Sequence, residues 1–183
     1  MSHRHTLAVL ALVLPLAACG GAVDDDNSEG MGTQPENEVE VTSTIGRPEQ
    51  HFEVQEVAPA TSTEIQGQSV DDPAMELSYK WQGTSYAPGG GTVVVVAVTN
   101  KSEAPLPADA LRTELRYNSG GGNMQTAKPI DSEKAGIDIV GLDRPLGPLA
   151  TVNVKYAFDV SSGSLWDAEF TIGNVTFDGN LNN

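Results

Sequence analysis

Thr151-Val152-Asn153-Val154-Lys155-Tyr156-Ala157-Phe158 decides the fold. Val152, Val154, Tyr156 and Phe158 fall on one side of an extended chain, and Asn153, Lys155 and Ala157 on the other. Side chains of a strand alternate between faces, so this period of two marks a half-buried strand. The same rhythm sets Leu77, Tyr79 and Trp81 against Ser78 and Lys80, and Leu111, Thr113, Leu115 and Tyr117 against Arg112, Glu114 and Arg116. Val93 to Thr99 is almost continuously apolar and β-branched, as in a strand covered on both sides. Ile137 and Ile139 open a further short run.

Phe170 and Ile172 share one face, but Val175 and Phe177 fall on the other if the strand continues regularly. One extra residue at Gly173-Asn174 restores the phase, which predicts a β-bulge there. Gly, Pro, Asn and Asp clusters separate the runs, and the only helical candidates are single turns at Ala108–Leu111 and Ser132–Ala135. About seven strands over residues 64–183 predict an all-β fold. Its form is an immunoglobulin-like antiparallel sandwich, with a closed barrel as the alternative. The expected core is Leu77, Tyr79, Val94, Val96, Val98, Leu115, Ile139, Val154, Tyr156, Phe158, Phe170, Ile172 and Val175.

The N-terminal third has a different texture. Arg4 precedes an apolar stretch from Leu7 to Leu16, followed by Ala17, Ala18 and Cys19. This is the charged, apolar and small-residue order of a secretory signal, and its greasy part is about ten residues against the ~20 that span a bilayer. Leu16-Ala17-Ala18-Cys19 resembles a bacterial lipobox. The resemblance implies cleavage after residue 18 and a diacylglyceryl group on the Cys19 thiol. Two acyl chains, at about 0.8 kcal/mol per buried CH₂, suffice for a stable anchor. The expected location is the extracytoplasmic face of a cell membrane. Cys19 is the only cysteine, so the domain has no intrachain disulfide.

Residues 20–63 carry ten acids and one base, Arg47, amid Gly, Ser, Thr, Asn, Gln and Pro. Low hydrophobicity with charge of one sign does not offset ordering entropy, so residues 19–63 read as a disordered tether carrying the lipid. A flexible linker of that length averages roughly 35–40 Å end to end. Glu38-Val39-Glu40-Val41 and Phe52-Glu53-Val54 leave a stray strand pair open within it. The full chain carries a formal charge of −15, which argues against nucleic acid and anionic lipid surfaces as partners.

Val98-Thr99-Asn100, the Lys101-Ser102 and Pro105 that follow, and Leu146 to Val152 leading into Phe158-Asp159-Val160 resemble the telokin-like, immunoglobulin-like domain of unknown function. That domain occurs in many Gram-positive and actinobacterial lipoproteins. Gly67 to Val70 matches the segment that opens such domains. Pro148-Leu149 stands where the family usually has Pro-Gly. The resemblance spans about residues 65–178 and implies a sandwich fold and a surface location, with no catalytic residues to transfer.

Chemistry-bearing residues are few. The histidines stand at 3, 5 and 51, so the β region offers neither a Ser-His-Asp system nor a His-ligated zinc site. Asp24, Asp26 and Ser28 begin like a calcium loop, but Glu29 and Pro35 occupy positions that require Gly and Glu. Gly89-Gly90-Gly91 and Gly120-Gly121-Gly122 lack the helix and lysine of a phosphate loop, and read as connections or a binding rim. Asn100-Lys101-Ser102 and Asn174-Val175-Thr176 match the glycosylation pattern by accident of composition. Asp138 and Asp143, with Asp131 and Glu133 nearby, are the only carboxylates to weigh as a hydrolytic pair.

Trp81 shares the core face of Leu77 and Tyr79, whereas Trp166 sits in a Ser-Gly-Ser-Leu loop, either as a candidate ligand contact or as a cap on the end of the sandwich. No metal and no cofactor are expected. The leading expectation is a non-enzymatic binding module for a protein or glycan in the envelope. An envelope spacer and a cell-wall polymer hydrolase are the alternatives.

Overall fold

The computed structural model describes residues 50–182. The signal segment, Cys19, the calcium-like Asp24-to-Ser28 stretch and the tether up to residue 49 lie outside the described residues.

The chain forms two five-stranded sheets packed as a sandwich. The strands in order are β1 (Ala60–Ser62), β2 (Ser69–Asp71), β3 (Leu77–Tyr86), β4 (Thr92–Asn100), β5 (Thr113–Asn118), β6 (Met124–Thr126), β7 (Pro129–Ile130), β8 (Thr151–Phe158), β9 (Ala168–Ile172) and β10 (Val175–Gly179). One sheet has the order β2-β3-β4-β8-β7 and the other β1-β10-β9-β5-β6. Within these orders, β3-β4-β8-β7 follows the A-B-E-D sheet of an immunoglobulin fold and β10-β9-β5-β6 follows G-F-C-C′. All pairings are antiparallel except β1 with β10, where Ala60 to Ser62 run alongside Val175 to Phe177.

The expected core residues are buried, with one exception. Phe170 is the hub: Trp81 and Phe158 meet it edge-on at centroid separations of 5.8 and 6.1 Å, and Tyr156 tilts against it at 6.0 Å. The sheet interior is thus filled by inward residues of both layers, as period-two patterning demands. Val93 of β4 is buried on the opposite side, against Ala87, Ile130, Ala135 and Ala157. That accounts for the unbroken apolar run. The helical turn α1 (Ser132–Ala135) supplies part of this cover, with Asp131 capping it through the Lys134 amide at 2.8 Å and Gly136 ending it in the left-handed region.

Four sequence expectations are corrected. No bulge occurs at Gly173-Asn174. These two residues turn a hairpin, with Ile172 opposite Val175 and Phe170 opposite Phe177. Directly opposed residues of an antiparallel pair face the same side, so the apparent phase change is a chain reversal. Gly173 has φ of +56° and Asn174 a negative φ, the signs of a type II′ turn. The register shift lies instead in β3, between Trp81 and Gly83 opposite Val96 and Val95. Ile137 and Ile139 do not form a strand, and Ile139 is 38% exposed; the segment bends after the helical turn, and Ile137 and Val140 face the sheet in its place. Ala60–Ser62, within the expected tether, is the edge strand β1, and Phe52 packs against the core without strand structure. Short edge strands β1, β2, β6 and β7 raise the count to ten among the described residues.

Two buried polar side chains fasten the end of the sandwich that carries Gly173-Asn174, termed the lower end. Asp72 accepts from the amides of Ala74 (2.8 Å), Met75 (3.1 Å) and Asn174 (2.9 Å) and from the Tyr79 hydroxyl (3.0 Å). It ties the β2–β3 turn to the β9–β10 hairpin of the other sheet. Asn100 donates Nδ2 to the carbonyls of Ala104 (2.8 Å) and Leu146 (3.1 Å), and its Oδ1 accepts from the Ser102 amide (3.0 Å). It clamps two loops that also pair through reciprocal Leu106–Leu146 backbone bonds of 2.9 Å. Pro148-Leu149 completes a turn there, closed by Ala150 N to Gly147 O at 3.3 Å. Leu149 adopts φ of +56°, the only non-glycine residue with positive φ among the described residues.

Candidate binding surface

The chain preceding β1 joins at the lower end, since the Ala60 amide donates to the Asn174 carbonyl (2.9 Å) and the Gln55 amide to Ala74 (2.7 Å). Trp166 stands at the other, upper end, two residues before Ala168 opens β9. Five residues at ~3.4 Å each put about 17 Å of strand between them.

Leu165 and Ala168 are both fully buried, which plugs the upper end of the core and turns Trp166 outward, 54% exposed. The loop carrying it is held on both flanks. Towards β3 and β4, the Thr92 hydroxyl donates to Val160 O (2.7 Å), Leu181 N to Leu165 O (2.8 Å), and the Thr84 hydroxyl to Leu181 O (2.9 Å). Towards β5, the Asn118 amide donates to Asp167 O (2.9 Å) and its Nδ2 to Asp167 Oδ2 (2.7 Å). Asn118 Oδ1 in turn accepts from Gly120 N (2.9 Å), which fixes the start of the Ser119–Asn123 hairpin beside the tryptophan. Tyr86, 76% exposed, ends β3 at the same end.

The two glycine runs differ. A Cβ on Gly89 would strike the Lys134 carbonyl of the helical turn and one on Gly91 the Phe158 carbonyl of β8, so these two are packed in, with Gly90 open between them. Gly120, Gly121 and Gly122 have open space around them and all take positive φ, so this run is the free rim of the upper end.

Trp81, by contrast, is a core residue at 4% exposure, and its Nε1 has no partner. The carboxylates weighed as a hydrolytic pair have other roles or solvent around them. Asp131 caps the helical turn, Asp143 lies 3.7 Å from Arg144, and Asp138 is exposed in the bend after the turn. Among the described residues no three His, Cys, Asp or Glu side chains converge as a metal site. Asn100 is wholly buried and internally bonded, which removes the first glycosylation pattern from reach.

One concavity escaped sequence reasoning. A cleft of about 880 Å³ at the lower end lies between residues 50–55 and the segments Asp71–Leu77 and Lys101–Ala104. The polar contacts recorded there join its walls to each other: Lys101 to Asp71 at 2.9 Å and Gln50 Nε2 to Glu103 at 3.0 Å. No local motif signals it, because three distant segments build it.

Burial shapes the two core tyrosines. It pushes the pKa of Tyr79 well above the ordinary phenol value, with the Asp72 carboxylate acting in the same direction, and raises that of Tyr156 likewise.

No family model, no curated protein and no solved structure matches this chain.

Proposed function

We propose that this protein is an extracytoplasmic lipoprotein, anchored through diacylglyceryl-modified Cys19, whose telokin-like, immunoglobulin-like domain binds a protein or glycan at the cell surface without catalysis. One observation carries the reading. The chain leading back to Cys19 joins one end of the sandwich, and the exposed Trp166 stands on a braced loop at the other. Trp166 thus lies at the end away from the point where the leading chain attaches. A ring with an apolar face and a polar N–H, held outward on a braced loop, is suited to contact a ligand, which supports the binding role over the spacer.

The test has two arms. Mass spectrometry of the mature N-terminus is expected to find acylated Cys19, and Cys19→Ser is expected to release the protein from membranes; an unmodified terminus overturns the anchor. A photo-cross-linker placed at Trp166 in intact envelopes is expected to capture a ligand. Absence of any adduct there favours the spacer. Polymer hydrolysis that Asp138→Asn or Asp143→Asn abolishes would replace the binding module with the hydrolase.

A further inference from the structure

The upper end also specifies what it binds, on the premise that it is the recognition surface. We propose that it is a site for neutral glycans, in which Trp166 stacks on the C–H face of a pyranose ring and Tyr86 offers a second platform.

The composition of the surface carries this. Three segments share that end: Tyr86 with the Gly89–Gly91 run that follows it, the hairpin Ser119–Asn123, and the loop from Ser161 to Asp167. Apart from the indole and the phenol they present hydroxyls, amides, one carboxylate and glycine backbone. Aromatic planes amid Ser, Gly and Asn are the mixture that adaptable recognition loops use. A protein interface of standard size needs about 800 Å² per partner around a dehydrated apolar centre. Here the exposed large apolar residues are the two aromatic rings alone; the others of the described domain, Val54, Val57, Ile139 and Leu149, lie on other segments. Isolated aromatic planes set among hydrogen-bonding groups match a sugar, whose rings have apolar faces and polar rims.

Charge selects the class of sugar. The residue beside Trp166 is Asp167, and its Oδ2 is oriented by Asn118 at 2.7 Å. Two bases stand at this end, Lys134, paired with Asp159 at 3.3 Å, and the exposed Lys128, against the carboxylates of Asp131, Glu133, Asp159 and Asp167. A carboxylate accepts from neutral sugar hydroxyls and repels a polyanion, as does a chain of net charge −15.

The site is also braced for the task. The bonds on both sides hold the backbone that carries Trp166, so little ordering of the loop remains to oppose binding. The Gly120–Gly122 rim has open space around it, which leaves room for a chain beside the loop.

The full chain, purified in detergent, is to be run in native affinity gels containing soluble mannan, mixed-linkage glucan or glycol chitin. Polygalacturonate and polylysine serve as the charged arms. Retardation by at least one neutral polymer is expected. Trp166→Ala should weaken it at least tenfold with the melting temperature unchanged, and Trp166→Tyr should retain most of it. Retardation by none of the neutral polymers, retardation only by a charged one, or undiminished binding by Trp166→Ala overturns the proposal. The Trp166 cross-link in envelopes separates the two levels: a protein adduct without neutral-glycan binding sinks the glycan assignment and leaves the binding module standing.

Discussion

Gly173→Ala tests the joint between the sheets. Gly173 opens the β9–β10 turn at φ of +56°, and a methyl there would run into the Tyr79 hydroxyl, an Asp72 carboxylate oxygen and the Met75 methyl group. The left-handed conformation costs a non-glycine residue about 1–2 kcal/mol. Displacing the Tyr79–Asp72 bond forfeits a charged hydrogen bond of about 1.5–3 kcal/mol. The stiffer unfolded chain returns about 0.4–1 kcal/mol. The net expectation is a loss of about 2–4 kcal/mol, or roughly 10 °C in melting temperature for a domain of this size. Gly122→Ala is the control: its φ is +77° but nothing lies near its Cβ, so it pays the backbone part alone. Urea melts followed by circular dichroism on both variants give the difference. If Gly173→Ala and Gly122→Ala lose the same amount, or Gly173→Ala loses under about 1 kcal/mol, the reasoning about the Asp72–Tyr79 contact is wrong.

Tyr156→Phe should be neutral or stabilise by up to about 1 kcal/mol, since the Tyr156 hydroxyl is buried without a partner, whereas Tyr79→Phe should cost about 1.5–3 kcal/mol; denaturant melts rank the two. Both tyrosines ionise more reluctantly folded than unfolded, so their contribution to stability is complete below about pH 10 and falls as pH rises beyond it. Absorbance at 295 nm should therefore show two of the four tyrosines ionising only as the fold is lost. Iodide should quench Trp166 emission and leave a blue-shifted Trp81 component, and Trp166→Phe should abolish the quenchable part. Asn100→Ala should cost about 2–4 kcal/mol by stranding loop carbonyls, read as a drop in melting temperature.

Alternation made the sandwich legible. Each long strand carries its own inward set, and Leu77, Val96, Val154 and Phe170 lie where period two places them. What failed was information held by partners. Gly173-Asn174 reads alike as a bulge or a reversal until the register with Phe170 is known. Ala60–Ser62 has no strand signal of its own and is ordered by β10. Ile139 has the right residue type in a segment that bends. The polar loop left Trp166 open as a contact or as a cap on the sandwich end, and its bracing by Asn118 and Asp167 was not readable, because those residues are joined only across the β5–β9 pairing. Asn100 looked like a strand terminus and proves to be the clamp between two loops.

The parallel pairing of β1 with β10 has a mechanical meaning. Tension between the leading chain and something gripping Trp166 pulls along the axis that β1 and β10 share. Three residue pairs then resist together, side-on, instead of being unzipped one after another. After the Gln55–Ala74 bond ahead of it, the next mooring to slip under load is thus a short edge strand, and its loss lengthens the leading chain while the rest of the sandwich stays shut.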